Sequence, residues 1–282
     1  MKFCFVILHY KTADDTIECV ESINKLRESC NIVIVDNASN NGSIEKVEEK
    51  YATQANIIVL KNNENLGFAA GNNVGYQYAR NVLGANYIAI SNNDIIVDTP
   101  GFIQKISSLF EKTGFHVVGP DVESLVDHNH QSPMKGTLPY RADATKEIWR
   151  YRVLYLLSRA NIYDLLKKKH TKATAEVYSQ EEKRAECEDV VLHGSFVVFS
   201  PSFIEQEEYS FRPGTFLYME ELILYKYCIQ KKYKILYSPE VKVFHKEDSS
   251  TNALFNAAKG KREFVFKNMI QSLKVYRAIL PR

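Results

Sequence analysis

Two adjacent carboxylates, Glu220 and Glu221, follow the run Thr215-Phe216-Leu217-Tyr218-Met219. A carboxyl group among apolar and aromatic side chains is held above its usual pKa, as a general base near neutrality requires. The same pair at the start of a helix would also simply complement the macrodipole. A third carboxylate, Asp94, ends Ser91-Asn92-Asn93-Asp94, directly after an apolar run. A lone carboxylate holds a hard divalent cation when ligand phosphates and water complete the octahedron. His245, after Val241-Lys242-Val243-Phe244, is a candidate for one more ligand, although a lone histidine also serves as an ordinary structural residue. No Ser-His-Asp or Cys-His constellation stands out. Gly67, Gly71 and Gly75 are spaced by four, which is neither GxGxxG nor GxxxxGK[ST]. A Rossmann dehydrogenase and a P-loop enzyme are therefore disfavoured.

These residues need a scaffold that brings loop ends together. Residues 3–8 (FCFVIL) are apolar on both faces, as in a strand of a covered parallel sheet. Thr12-Ala13-Asp14-Asp15 resembles a capping box, and Ile17, Val20, Ile23 and Leu26 then recur at helical spacing. Further strands are expected at 31–35, 57–60, 87–90 and 117–119. Helices are expected near 43–52 and 69–82, and from Thr99-Pro100, with Thr as N-cap and Pro at the first position. This alternation over residues 1–120 predicts a parallel sheet with right-handed crossovers. Ligands bind beyond the carboxyl ends of such strands. Those ends carry His9-Tyr10, Asp36-Asn37, Asn62-Asn63 and Asn92-Asn93-Asp94. One such loop is an ordinary turn; four in register at one edge point to a ligand site. The second half reads as a helical stretch at about 143–170, an acidic piece near 179–189, a β-rich run at 190–199, a helix at 219–231, strands at 235–237 and 241–244, and a closing basic helix.

A chain of 282 residues, 45% hydrophobic and 25% charged, supports a sizeable core and excludes disordered, collagenous and low-complexity classes. Five scattered cysteines without a CxxC pair argue for a reducing compartment, against a disulfide framework and against a structural zinc site. No apolar run is long enough to cross a membrane, and the N-terminus reads as a buried strand rather than a signal peptide. The net charge of +2 is unevenly spread: residues 146–172 sum to +6, and so do residues 251–282. Such segments suit a polyanion or an anionic membrane surface, or are solvated helix faces.

The ordered series VILHY, VDNASNNGS, NNENLGFAAGNN, SNNDI, HGSFVVFS, TFLYMEELIL and VFHKEDSS resembles the family 2 inverting glycosyltransferases. The likeness is to bacterial rhamnosyltransferase-like enzymes of cell-surface polysaccharide synthesis, and it covers about residues 3–275. It implies a GT-A fold: an α/β, Rossmann-like, mostly parallel sheet flanked by helices, with a helical insertion and a C-terminal helix. Residues 1–282 would form a single domain. Its nucleotide-sugar half would be 1–120, its acceptor-side half 121–250, with the insertion at about 143–170, and its basic C-terminal helix 251–282.

The resemblance also implies roles. His9 and Tyr10 would line the nucleotide pocket, Asp36 would hold the donor base or ribose, and Asn65, Gly71 and Asn72 would pack beside the nucleotide. Asn92, Asn93 and Asp94 match the DxD-type metal motif, with Asn92 where its first carboxylate stands; Asn92 and Asn93 would bind the donor nucleotide. Asp94, the donor diphosphate and His245 would hold Mg²⁺ or Mn²⁺. Glu221 matches the catalytic base, with Glu220 as runner-up; Ile223 stands where many relatives carry another Asp. Lys267 could approach the diphosphate. The implied donor is a dTDP- or UDP-sugar and the acceptor a glycan or a lipid-linked oligosaccharide. Nucleic acid is not an expected partner. The expected location is cytoplasmic, with peripheral association at the inner face of the cell membrane. Two other readings stay open: a non-catalytic sugar-nucleotide-binding subunit or assembly partner, and a sugar-1-phosphate nucleotidyltransferase, although the latter usually has a Gly-rich loop where His9-Tyr10-Lys11 stands.

Overall fold

The computed structural model describes residues 1–134, 138–166, 185–247 and 258–281. Strands β1 (Phe3–His9), β2 (Asn31–Asp36), β3 (Ile57–Lys61) and β4 (Tyr87–Asn92) run parallel in the order β3-β2-β1-β4. Helices α1 (Ala13–Lys25), α2 (Ser43–Tyr51) and α3 (Gly67–Asn81) connect them. The all-apolar β1 reflects helices on both faces of the sheet. Phe3, Phe5 and Ile7 point into the layer under α1, while Cys4 and Val6 point into the layer under α3.

The second half makes the sheet mixed. After β5 (Ile95–Val97), α4 (Phe102–Thr113) and β6 (Val117–Ser124), the chain forms α5 (Arg141–Arg159), α6 (Tyr163–Leu166) and β7 (Cys187–Glu188). Strand β8 (Phe196–Phe199) then inserts antiparallel between β4 and β6. Helices α7 (Pro201–Gln206) and α8 (Glu220–Lys231) follow, then β9 (Ile235–His245) and α9 (Ala258–Ile279). Strand β9 pairs parallel with β6 and antiparallel with β5 and β7. The two strands expected at 235–237 and 241–244 are thus one.

Three local expectations are corrected. Thr12 makes no side-chain cap on α1; its hydroxyl accepts instead from Asn93 Nδ2 at 2.8 Å. Thr99 does not cap α4, which starts at Phe102 behind a left-handed Gly101; Thr99 Oγ1 donates to Lys242 O and accepts from Lys242 N. The stretch expected at 143–170 breaks after α5 before resuming as α6, and residues 167–170 lie outside the described residues, as do parts of both basic segments.

Helices α5 and α9 pack on α8 around Ile148, Ile223, Leu273 and Tyr276. Ser272 Oγ donates to Leu217 O at 2.9 Å, so α9 ties down the segment leading into Glu220 and Glu221. Ile223 is buried in this cluster, which explains its apolar identity in physical terms.

Candidate active site

A cleft with about 690 Å³ of empty volume, partly open to solvent, lies beyond the carboxyl ends of β1, β2 and β4. Leu8, Tyr10, Asn37, Asn92 and Asn93 come from those strand ends. Asn65, Gly67 and Phe68 come from the entry to α3, and Phe216, Leu217 and Phe264 close the other wall. The asparagines are held by one another and by nearby hydroxyls. Asn37 Nδ2 donates to Asn65 Oδ1 at 3.0 Å, and Asn65 Oδ1 accepts from Gly67 N at 2.9 Å. Asn93 Nδ2 bonds Thr12 and Thr16.

Gly67 joins the two walls. It has φ +80°, and a Cβ there would lie 2.2 Å from Phe216 O, while Phe68 N donates to that oxygen at 2.7 Å. Only glycine fits such an approach at positive φ. Gly67→Ala is expected to cost more than about 1 kcal/mol of stability and to weaken binding of any ligand in this cleft, because the Phe216 wall must move. Calorimetric melting together with a nucleotide titration checks both; wild-type values for the two would contradict this coupling.

Asp94 and His245 meet beside the cleft. Both are buried, and Asp94 Oδ1 stands 3.3 Å from His245 Nε2 without a hydrogen-bond partner. Gln131 Nε2 donates to Glu247, so Gln131 Oε1 faces His245 Nδ1, at 2.8 Å. That network makes Nδ1 the N–H and turns the Nε2 lone pair toward Asp94 when the ring is neutral. A lone pair facing a carboxylate oxygen calls for a cation between them, either a proton or a metal ion. An oxygen and an imidazole nitrogen suit Mn²⁺, and the oxygen suits Mg²⁺. Among the described residues no third His, Cys, Asp or Glu completes a ligand group, so the remaining positions fall to ligand oxygens and water.

Glu221 lies across a short turn from this pair. Its Oε2 would be 3.6 Å from a Cβ on Gly194. With Leu192, Leu224 and Tyr225 it lines a narrow, mostly apolar crevice that is partly open to solvent. Burial raises its pKa. His193, one residue before Gly194, has its ring centroid 5.7 Å from that of His245. Burial, and then the charge of His245, pull the His193 pKa down to about 4. Its Nδ1 pairs with Ser195 Oγ at 2.7 Å, and Ser195 O accepts from Asn92 N. Residues 193–195 thus set the Asp94–His245 pair and Glu221 on two sides of one turn. Sequence reasoning assigned this turn no role; its signal was small residues directly before a buried apolar strand.

Glu220 faces inward. It is 3% exposed and its Oε1 has no hydrogen-bond partner. Burial, with the charge of Glu221 added, raises its pKa from 4.5 to about 7. A carboxyl raised in the folded state contributes stability that is full below its unfolded pKa and is lost as pH rises through about 7. Glu220→Gln is therefore expected to be more stable than wild type at pH ~8, by on the order of 2–3 kcal/mol, and to melt higher, with a much smaller gap at pH ~5. Parallel pH–melting curves for the two proteins would contradict this.

Other residues singled out by sequence sit elsewhere. His9 is fully buried, with Nδ1 at 2.6 Å from Thr16 Oγ1 and Nε2 at 2.8 Å from Ser43 Oγ. It pins β1 to α1 and α2 and does not line the cleft. Asp36 is buried and accepts from Ser39 Oγ at 2.5 Å; it borders a separate surface hollow with Asn62 and Asn63. Gly71 permits close packing, since a Cβ there would meet Leu8 at 2.7 Å. Asn72 is buried, donating to Phe68 O. Lys267 is exposed on α9, three residues after Phe264, and is not part of the cleft wall.

Solved structures share this architecture. The chain superposes on S. aureus TarS 1-349 in complex with UDP-GlcNAc with a TM-score of 0.54 and 14% identity, over 90% of this chain and 62% of that one. It superposes on GalNAc-T7 with UDP, GalNAc and Mn²⁺ with a TM-score of 0.59 and 14% identity, over 89% of this chain and 45% of that one. The chain thus spans less than two thirds of either neighbour, and at such identity the likeness shows the GT-A fold alone. No curated protein sequence matches the chain. Residues 4–167, more than half of the chain, match the profile of Glycosyl transferase family 2, and the chain belongs to that family.

Proposed function

We propose that this protein is a metal-dependent inverting glycosyltransferase of the rhamnosyltransferase-like kind. It would move a sugar from a dTDP- or UDP-linked donor to a hydroxyl of a glycan or lipid-linked acceptor in cell-surface polysaccharide synthesis. We read residues 1–282 as one GT-A unit acting at the cytoplasmic face of the membrane; among the described residues no helix is long and apolar enough to cross it. The carrying observation is that the Asp94–His245 pair follows the strand end that lines the cleft, while Glu221 lines a separate pocket on the turn at residues 193–195. The nucleotide complexes of TarS and GalNAc-T7, the latter with Mn²⁺, support the donor class and the metal.

The nucleotide occupies the cleft against Tyr10 and Phe68, with Asn65, Asn92 and Asn93 supplying polar contacts. Asp94 and His245 would hold Mg²⁺ or Mn²⁺, which when bound would neutralise charge on the leaving diphosphate. Glu221 takes the proton from the acceptor hydroxyl as its oxygen bonds the anomeric carbon. The old bond to phosphate breaks, and its electron pair leaves with the nucleoside diphosphate. Inversion needs no enzyme nucleophile.

A second reading, sugar-nucleotide binding without transfer, is favoured by Asn92 at the first position of the metal motif and by the buried Ile223. Titration with dTDP-rhamnose, UDP-hexoses and UDP-galactofuranose, with donor turnover followed on a lipid-linked acceptor, separates the two. Saturable binding with acceptor-dependent turnover supports transfer; binding without turnover on any of these donors contradicts it.

A further inference from the structure

Helix α5 carries an apolar stripe on the side that faces solvent. Its inner face packs Ala144 and Ile148 into the α8–α9 cluster, and Tyr151 lies against Phe266 with ring centroids 5.8 Å apart. Tyr163 of α6 packs on the same Phe266. Both tyrosines are half-buried against this ring. On the opposite face Trp149, Val153 and Leu156 are 61%, 50% and 65% exposed. Their spacing of four and three places them in one stripe.

At 100° per residue, Lys146 and Arg150 border the stripe on one edge and Arg152 and Arg159 on the other; all four are exposed. The Arg152 guanidinium lies 5.3 Å over the Trp149 ring. The two carboxylates of α5 are engaged: Glu147 with Arg150, and Asp143 with the backbone N–H of Tyr140.

We infer that this stripe seats the protein on an anionic lipid bilayer, with Trp149, Val153 and Leu156 entering the headgroup boundary and Lys146, Arg152 and Arg159 meeting lipid phosphates. Interfacial helices combine apolar side chains, tryptophan and flanking Lys/Arg in this way. A second copy fits worse. Two stripes face to face would set cations against cations at both edges, with no unengaged α5 carboxylate to pair them. A nucleic acid would leave the apolar centre without a counterpart. Helix α9, packed on α5, carries Phe264 in the cleft wall, so one helix pair connects the membrane-facing stripe to the donor cleft. Only the consequence, delivery to a lipid-linked acceptor, rests on the proposed glycosyl transfer; the surface does not.

The chain has one tryptophan, so its fluorescence reports this surface alone. The full chain is mixed, without any sugar nucleotide, with phosphatidylglycerol/phosphatidylcholine vesicles and with pure phosphatidylcholine vesicles. The expected result is a blue shift of Trp149 emission and protection from acrylamide on the anionic vesicles only, fading as salt rises. Val153→Ser combined with Leu156→Ser should weaken partitioning at least ~10-fold. Arg152→Gln with Arg159→Gln should weaken it about 30-fold. Neither pair should change the melting temperature, because all four side chains are exposed. No shift at low salt, an equal shift on neutral vesicles, or full binding by the Ser variant would overturn the proposal. So would a Trp149 already protected in a solution dimer. Vesicle binding by a protein that transfers no sugar would refute the activity alone. Transfer to a water-soluble acceptor without vesicle binding would refute this surface alone.

Discussion

Glu221→Gln is expected to lower turnover by ~10²-fold or more while leaving donor-nucleotide affinity nearly unchanged. The amide keeps the shape of the side chain but cannot accept a proton. Neighbours on a helix point about 100° apart, so the two glutamates have different surroundings. Glu220 is buried with an unpartnered oxygen, out of reach of an acceptor hydroxyl. Glu221 is partly exposed and borders Gly194. Burial raises its pKa, so wild-type turnover should climb with pH along a limb above the ordinary carboxylate range, as the base becomes ionised. Glu220→Gln should do less to the chemical step. Loss of turnover in Glu220→Gln with near wild-type Glu221→Gln, measured by steady-state kinetics, would reverse the assignment.

Asp94→Ala is expected to abolish turnover, by ~10³-fold or more given the several kcal/mol a bound cation supplies, and to remove tight Mn²⁺ binding seen by electron paramagnetic resonance. The fold should survive. The Asp94 side chain faces His245 at the end of a strand, and its Oδ1 is buried without a hydrogen bond, so deletion removes a polar liability rather than packing. Circular dichroism and melting separate loss of function from loss of fold. His245→Ala should weaken Mn²⁺ binding with a smaller loss of rate. Equal wild-type rates in excess chelator and in Mn²⁺ would contradict the metal's role.

The first four strands are legible in the sequence because each is a short apolar run followed by a polar turn and a helix-period segment. Their pairing is reached through local crossovers. The insertion of β8 between β4 and β6 is not legible, since it depends on contacts across more than 100 residues and β8 is only a four-residue apolar run. The strand-end rule located Tyr10, Asn92, Asn93 and Asp94, whose side chains or neighbours border the cleft. It could not separate them from His9 and Asp36, because a polar residue at a strand end looks the same whether it faces a ligand or bonds Thr16, Ser43 or Ser39. Thr12 and Thr99 carry helix-start signals, yet their hydroxyls are taken by residues distant in the chain, where a tertiary bond outcompetes a local cap. Trp149 and Tyr151 are aromatic residues two apart in one basic segment; only the packing of α5 on α9 shows that Trp149 faces out and Tyr151 packs on Phe266.

Nuclear magnetic resonance of the product of a transferring donor, compared with that donor, tests the account most directly. Direct displacement with Glu221 as base predicts a new glycosidic bond whose anomeric configuration is opposite to that of the donor. A product that retains the donor configuration would contradict it.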